Sequence, residues 1–485
     1  MTSTPTAPAA PASTIIEPGG IEAIPADRRH GSPWQLFATW SSPNLEFATV
    51  YVGLIAVAFF GLNLPAAILA IVIGNALGSL TQGILSTWGP REGLAQLVLS
   101  RTAFGTRGNI LPAAINTIMA GLGWFATNSV SGTLALSALT GMPAWLALVI
   151  VVVVQVGLAF VGHDLVQHFE RYAAIVLGII FLIACIVIFA HTGDGAAPKG
   201  AGWHFGGFML TVSAAFGYAA GWNPYASDYT RYQKKDVSKL QLGLAAGLGD
   251  FVSCTVLMIA GAASVYILFP GENPTDSFVH SLPTWLRDLT LLAIAVGAIA
   301  ANALNIYSGA MSFLAAGIKI RFGLRRAIIA LGFGIIGFVI ALIAVLDAHF
   351  EEWYENFLLV IAYWIAPWLG VVLVDRFLRR GTSIAELVTD HAKYRNWAGP
   401  IALVVAGAIS IWLFSNQTFY AGLIVTATTP KGGTSPIGDI TPFVGFVLAA
   451  VIYWALFVAL KVRLGGPLES EPDLVVGVDA ADEVA

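Results

Sequence analysis

The sequence predicts an all-α polytopic membrane protein with about twelve transmembrane helices, and three observations carry that prediction. The 485 residues are 57% hydrophobic and only 11% charged, with a mean hydropathy of +0.78, whereas soluble domains carry roughly 25% charged residues. The apolar residues gather into long runs, each near the roughly 20 residues that span a bilayer as helix. Lys and Arg then fall almost entirely on one side of those runs, the strongest topological signal a sequence offers.

The expected spans are 44–62, 66–86, 109–138, 144–162, 172–190, 205–227, 242–269, 284–313, 325–346, 354–376, 399–418 and 441–461. Of the 24 basic residues only Lys199, Arg287 and Lys431 lie on one side, and the others, from Arg28 to Arg463, lie on the opposite side. That side is therefore expected to be cytoplasmic, with both termini in the cytosol and the protein in the plasma membrane. Residues 1–33, rich in Ala, Pro, Thr and Ser and without a secretory signal, read as a flexible cytosolic tail. Residues 34–466 form the transporter domain, and 467–485, with Glu469, Glu471, Asp473, Asp479, Asp482 and Glu483, read as an acidic cytosolic tail. Cys185 and Cys254 stand alone in apolar runs, as packing residues do.

Two spans depart from plain lipid-soluble helix. The sixth runs from Phe205 to Ala220 and then meets Gly221-Trp222-Asn223-Pro224-Tyr225, followed by Asp228 and Arg231. Backbone groups freed by a break cannot face lipid, so a broken membrane helix lines a cavity or a binding site. The first span opens Ser41-Ser42-Pro43-Asn44-Leu45-Glu46. A carboxylate at that depth is costly and marks an ion or proton path, although it also fits the aqueous edge of a helix. The two irregular helices lie five spans apart, as in transporters built from inverted repeats. Spans one to five and six to ten would then form a five-plus-five core, with the last two outside it.

Polar groups inside other spans supply candidate ligand contacts. In the third, Trp124 and Asn128 are four apart and share a helix face, offering a flat ring and an amide that both donates and accepts. In the eighth, Asn302 and Asn305 sit in a run of Ala, Leu and Ile and require partners. Both pairs also fit helix-to-helix packing, where Asn bonds across an interface. Asp250 lies within the seventh span. The run His163 to Arg171 reads as an interfacial loop helix, because two His five apart do not share a face. Nothing in the sequence calls for a metal or cofactor, no nucleic-acid partner is expected, and no His, Cys or paired-acid constellation suggests an enzyme.

Taken in order, Gly123-Trp124-Phe125 with Asn128, Trp222-Asn223-Pro224-Tyr225 with Asp228 to Tyr232, and Asn302 with Tyr307-Ser308 resemble the nucleobase-cation symporter family in its purine-cytosine permease branch, across residues 20 to 465. The loop Ser86 to Arg91 fits as well. The resemblance implies a discontinuous first and sixth helix and a nucleobase, cytosine or a purine, held at mid-membrane by spans one, three, six and eight. Trp124 would stack on the base, Asn128 would bond its edge, and Tyr218, Gly221 and Trp222 would surround the break. Asn302 would contact substrate, with Asn305 beside it. Sodium-dependent relatives carry hydroxyls where this chain has Val296 and Gly297, so a co-transported proton is expected rather than sodium. Glu46 is the expected carrier and Asp250 a second, while Asp228 and Arg231 read as gating or structural. Another small heterocycle, such as allantoin, hydantoin or a vitamin-like ring, would fit the same architecture, and a nontransporting receptor is the reading from a different class.

Overall fold

In a computed structural model, residues 20–161, 163–193, 198–267, 277–318, 325–346, 350–389 and 394–467 are described. The first nineteen residues of the expected N-terminal tail, the acidic stretch from Leu468 onward, and the basic residues Lys319, Arg321 and Lys393 lie outside them. Helix covers each of the twelve expected stretches, and no extended strand occurs among the described residues. Seven of these helices are long and apolar enough to cross a membrane, and four more are shorter apolar helices.

The first span is broken, as the sequence predicts. Helix Gln35–Ser41 passes through a 3-10 turn, Ser42–Asn44, then Leu45 (φ −82°, ψ 66°) and an extended Glu46 (φ −151°, ψ 174°) before helix resumes at Phe47–Ala58. Pro43 has no N–H to give to the preceding turn, which favours the interruption. The sixth span breaks more gently. Phe205–Ala220 runs through Gly221 and Trp222, both in the right-handed region, into a 3-10 turn at Asn223–Tyr225 and helix Ala226–Thr230. A third irregularity was not legible in the sequence: Met119–Trp124 is wound as π-helix between Ile110–Ile118 and Phe125–Thr140. Such bulges occur where a helix is bent for function. Here Gly121 and Gly123 let the rings of Phe333 and Phe357 press against the bulge, since an added Cβ would lie 2.8 and 2.4 Å from them.

One sequence reading needs correction. The run from His163 to Arg171 is no separate loop helix but the first turns of the fifth span, a continuous helix His163–His191. No Gly or Pro separates Arg171 from the apolar run that follows, and Val166 and Glu170 are buried, so helix propagates through the charged stretch.

Packing follows the exchange of one half for the other. Span one lies along span seven, and span six along span two; spans three and eight pack on each other; eight meets four while three meets nine; one meets five while six meets ten. Each pair maps onto its partner when the first five spans are swapped with the second five, so the inverted repeat is present in the contacts. Spans eleven and twelve pack against span ten, outside this core. Glycine makes the closest approaches possible: a Cβ on Gly53 would lie 1.6 Å from the Met258 carbonyl oxygen, and one on Gly261 1.9 Å from that of Val50.

At the basic-rich side a buried ion pair ties the two parts together. Arg379 Nε donates to Asp375 Oδ1 at 2.7 Å, and Arg379 Nη2 donates to Tyr394 and to the Thr102 carbonyl at 2.7 and 3.0 Å. Tyr453 and Thr102 donate to the same carboxylate at 2.5 and 2.6 Å. Removing one member of a buried pair leaves an uncompensated charge. Asp375→Ala is accordingly expected to lower stability by about 3–5 kcal/mol, read as a large drop in the thermal unfolding midpoint in detergent; an unchanged midpoint would show that the pair contributes nothing. On the same side, residues from Gly20 onward are held to the core. Ile24 N donates to the Gly93 carbonyl at 2.9 Å, Arg29 Nη1 to that of Pro90 at 2.6 Å, and His30 N to that of Tyr232 at 2.6 Å.

Candidate substrate site

The break in the first span places Glu46 at the start of helix Phe47–Ala58, fully buried, beside the sixth and eighth spans. Tyr218 OH donates to Glu46 Oε1 at 3.4 Å and shares a 2.6 Å hydrogen bond with Thr49. Among the described residues Glu46 Oε2 meets no hydrogen-bond partner. From the other side Gly297 closes on the break: a Cβ there would lie 2.1 Å from the Leu45 carbonyl oxygen and 3.2 Å from Glu46 Cβ. At Gly297 span eight therefore meets the Leu45 backbone directly.

Trp124, carried at the end of the π-helical turn, stands over this pair. Its ring meets Tyr218 edge-on at 5.3 Å, Phe357 at 5.2 Å and Tyr354 at 6.5 Å between centroids. Gly221 lies beside it: a Cβ there would stand in ordinary contact with Trp124 Nε1, at 3.4 Å, and only 2.9 Å from the Tyr218 carbonyl oxygen. Glu46, Trp124, Tyr218 and Gly221 are thus brought together from spans one, three and six, which the sequence could only assign separately.

One turn beyond Trp124 the predicted amides form a single buried cluster. Asn302 Nδ2 donates to the Phe125 carbonyl at 3.0 Å, to Gln155 Oε1 at 2.9 Å and to Ser129 Oγ at 3.2 Å. Asn302 Oδ1 accepts from Asn128 and Asn305 at 3.2 and 3.4 Å. Asn302 is thus the hub of the cluster with its hydrogen bonds already made, and the oxygens still without a partner belong to Asn128 and Asn305.

Trp222 faces elsewhere. Its indole N–H donates to Asn44 Oδ1 at 2.8 Å, and its ring packs on Trp40 and Tyr225. Asn44 Nδ2 in turn donates to Asp250 Oδ1 at 3.2 Å, and Ser79 donates to Asp250 Oδ2 at 2.7 Å. Asp250 is thereby a second buried carboxylate, linked through Asn44 to both broken helices.

Asp228 and Arg231 lie at the basic-rich end of span six, both buried. Asp228 Oδ1 accepts from the Gln96 backbone N–H at 2.8 Å. Arg231 Nη1 donates to the carbonyls of Gly20 and Glu22 at 3.0 and 3.2 Å, and Nη2 to Tyr307 at 3.3 Å. They join the N-terminal segment, the loop after span two and span eight, away from the aromatic cluster.

Several participants were missed in the sequence. Gln155 is a lone amide in the valine run of the fourth span, and Ser79 and Asn44 are polar residues on buried helix faces; each could have been noticed as a polar interruption of an apolar run. Glu170 was hidden by its charged neighbours. It is buried, and its carboxylate faces the Ser42 hydroxyl of the first break.

The profile of the family described as permeases for cytosine/purines, uracil, thiamine and allantoin matches residues 23–445. The chain belongs to this permease family. Among curated relatives, the putative purine-cytosine permease YxlA of Bacillus subtilis is 30% identical, covering 93% of this chain and 98% of its own. The purine-cytosine permease fcyB of Emericella nidulans is also 30% identical, over 91% of this chain and 88% of its own. Among solved structures, MHP1, a nucleobase-cation-symport-1 family transporter, in a closed conformation with bromovinylhydantoin bound, aligns with a TM-score of 0.69 at 18% identity. That alignment covers 95% of this chain and 99% of the other. The inward-facing conformation of Mhp1 aligns equally well, at 0.69 and 19% identity over 93% and 96%. At that identity the structures speak for the fold, which matches the five-plus-five architecture described above. The permease is a multi-pass membrane transporter and not an enzyme.

Proposed function

We propose that this permease imports a nucleobase, cytosine or a purine, together with a proton across the plasma membrane, its termini in the cytosol, by alternating access. The observation that carries the reading is that Trp124 packs on Tyr218, which bonds Glu46 at the break of span one, while the Asn128–Asn302–Asn305 cluster lies one turn along the helix that carries Trp124. A planar ring stacks on an aromatic face, amides read its edge, and the adjacent carboxylate has an oxygen free to take a proton. The names of the two curated purine-cytosine permeases point to the same substrates.

Proton rather than sodium coupling is supported by chemistry at span eight. Hard cations need several oxygen ligands, yet Val296 and Gly297 offer no side-chain oxygen, and Gly297 is pressed on the Leu45 carbonyl. In the proposed cycle an outward-open state takes proton and base, the core rocks, and both leave on the basic-rich side. Asp250, held by Ser79 and Asn44, is the second carboxylate able to take a proton, and Asp228 and Arg231 close the inner face by holding the N-terminal segment. A second reading keeps the architecture and exchanges the base for another ring. It draws on the family description, which includes thiamine and allantoin, and on the vitamin B6 transporter TPN1 of Saccharomyces cerevisiae, 24% identical over 390 residues.

Uptake of labelled cytosine into proteoliposomes, under an imposed proton or sodium gradient separately, tests the proposal. Proton-driven uptake blocked by unlabelled adenine or hypoxanthine is expected. Sodium-driven uptake would overturn the coupling, and competition only by allantoin or hydantoin would favour the second reading.

A further inference from the structure

We infer that the groove between spans two and seven is a binding site for an anionic phospholipid of the leaflet on the basic-rich side, with an acyl chain in the groove and the phosphate at Lys239. The two spans touch backbone to backbone along its floor. A Cβ on Gly83 would lie 2.7 Å from the Gly243 carbonyl oxygen, and one on Gly247 3.0 Å from that of Ser79. Exposed leucines rise on either side, Leu80 from span two and Leu240, Leu244 and Leu248 from span seven, the last three four residues apart and so in one row. Between them lies a groove of about 390 Å³ whose wall on span two runs from Thr87 to Ala76 and on span seven from Lys239 to Phe251.

Length and polarity identify the occupant. The helix from Ala76 to Thr87 covers about 16 Å at about 1.5 Å per residue, close to half of the roughly 30 Å hydrocarbon core. The groove therefore reaches from the interface to about the middle of the bilayer, the depth that one acyl chain fills. Its walls make no demand for hydrogen bonds: Ser79 and Thr87, which line it, donate to Asp250 Oδ2 and to the Ile84 carbonyl, both at 2.7 Å. Charge is confined to one end. Lys239 lines the groove there, and Lys234 and Lys235 are exposed in the loop just before it, with Asp236 offsetting one of the three charges. Basic groups at the mouth of a groove between membrane helices attract anionic head groups. A second copy packed symmetrically through the same face would instead set these lysines against their own counterparts, so the charge favours a phosphate over another protein.

Native mass spectrometry of the full-length protein, released from detergent with equal amounts of phosphatidylglycerol and phosphatidylcholine of identical acyl chains, tests the inference. Phosphatidylglycerol is expected to be retained about tenfold or more over phosphatidylcholine. Equal retention of the two, or retention of neither, overturns the site. Lys239→Gln is expected to lower the preference about fivefold, whereas Lys461→Gln, beyond span twelve, should leave it unchanged. An equal fall in both variants would mean that the general surface charge holds the lipid, and no fall in Lys239→Gln would remove the lysine; either overturns the inference. Ala76→Trp fills the inner end of the groove from an exposed position, so retention of both lipids should fall while their ratio stays. Retention that survives Ala76→Trp would show that the chain does not lie in the groove. A lipid-free dimer that this variant returns to monomer would assign the face to a second copy and overturn the lipid.

Discussion

Glu46→Gln is expected to abolish proton-driven accumulation of substrate while leaving exchange of labelled for unlabelled substrate near the wild-type rate. Gln keeps the length of the side chain and can still accept the Tyr218 hydroxyl that lies 3.4 Å from Glu46 Oε1, so the break in span one should keep its shape. What it lacks is an acid. A two-unit pH gradient coupled to one proton supports about 100-fold accumulation, and the variant should bring that ratio to about one. Exchange needs only binding and reorientation of the loaded carrier, so its survival separates lost coupling from lost folding. Accumulation that persists would remove Glu46 from the mechanism and make Asp250, held by Ser79 and Asn44, the next carboxylate to replace.

The second large effect is expected at Trp124. Stacking of a base on an aromatic ring is worth about 1–3 kcal/mol when the ring is cut back to Ala, so Trp124→Ala should weaken substrate affinity by about 5- to 150-fold. The ring also touches Tyr218, Tyr354 and Phe357, and truncating a buried aromatic costs stability as well. Trp124→Phe separates the two effects, since it retains a face for stacking and most of the packing. Its affinity should lie between wild type and Ala, with a thermal midpoint near wild type. Affinity unchanged in a folded Trp124→Ala protein would mean that the ring is packing and that the substrate lies elsewhere.

How much of the site was legible depended on the kind of residue. Glu46, Trp124, Asn128, Asn302 and Asp250 could be found because a polar or ionisable group in an apolar span needs a reason to be there. What they would do with one another could not be found, because a hydrogen bond between Asn128 and Asn302 joins residues 174 positions apart. Asn302 shows the limit most clearly. In sequence it is an amide available to a ligand; in the fold its donors and acceptor are consumed by Phe125, Gln155, Ser129, Asn128 and Asn305. Trp222 shows another. It neighbours Gly221 in the chain, yet its indole turns to Asn44 rather than to the aromatic cluster.

Hydrophobic length and charge asymmetry were enough to establish an all-helical membrane protein and the positions of its spans, and the Gly, Pro and charged residues inside the first and sixth were enough to predict their breaks. Those properties are set locally, by the cost of exposing polar backbone or charge to lipid. The π-helical turn at Met119–Trp124, the continuation of the fifth helix through His163–Arg171, the burial of Glu170 and the direction of each amide were decided by tertiary structure. A bulge forms where neighbouring rings press on two glycines, a charged run stays helical where its buried face has a partner, and an amide takes the orientation that a carbonyl on another helix allows.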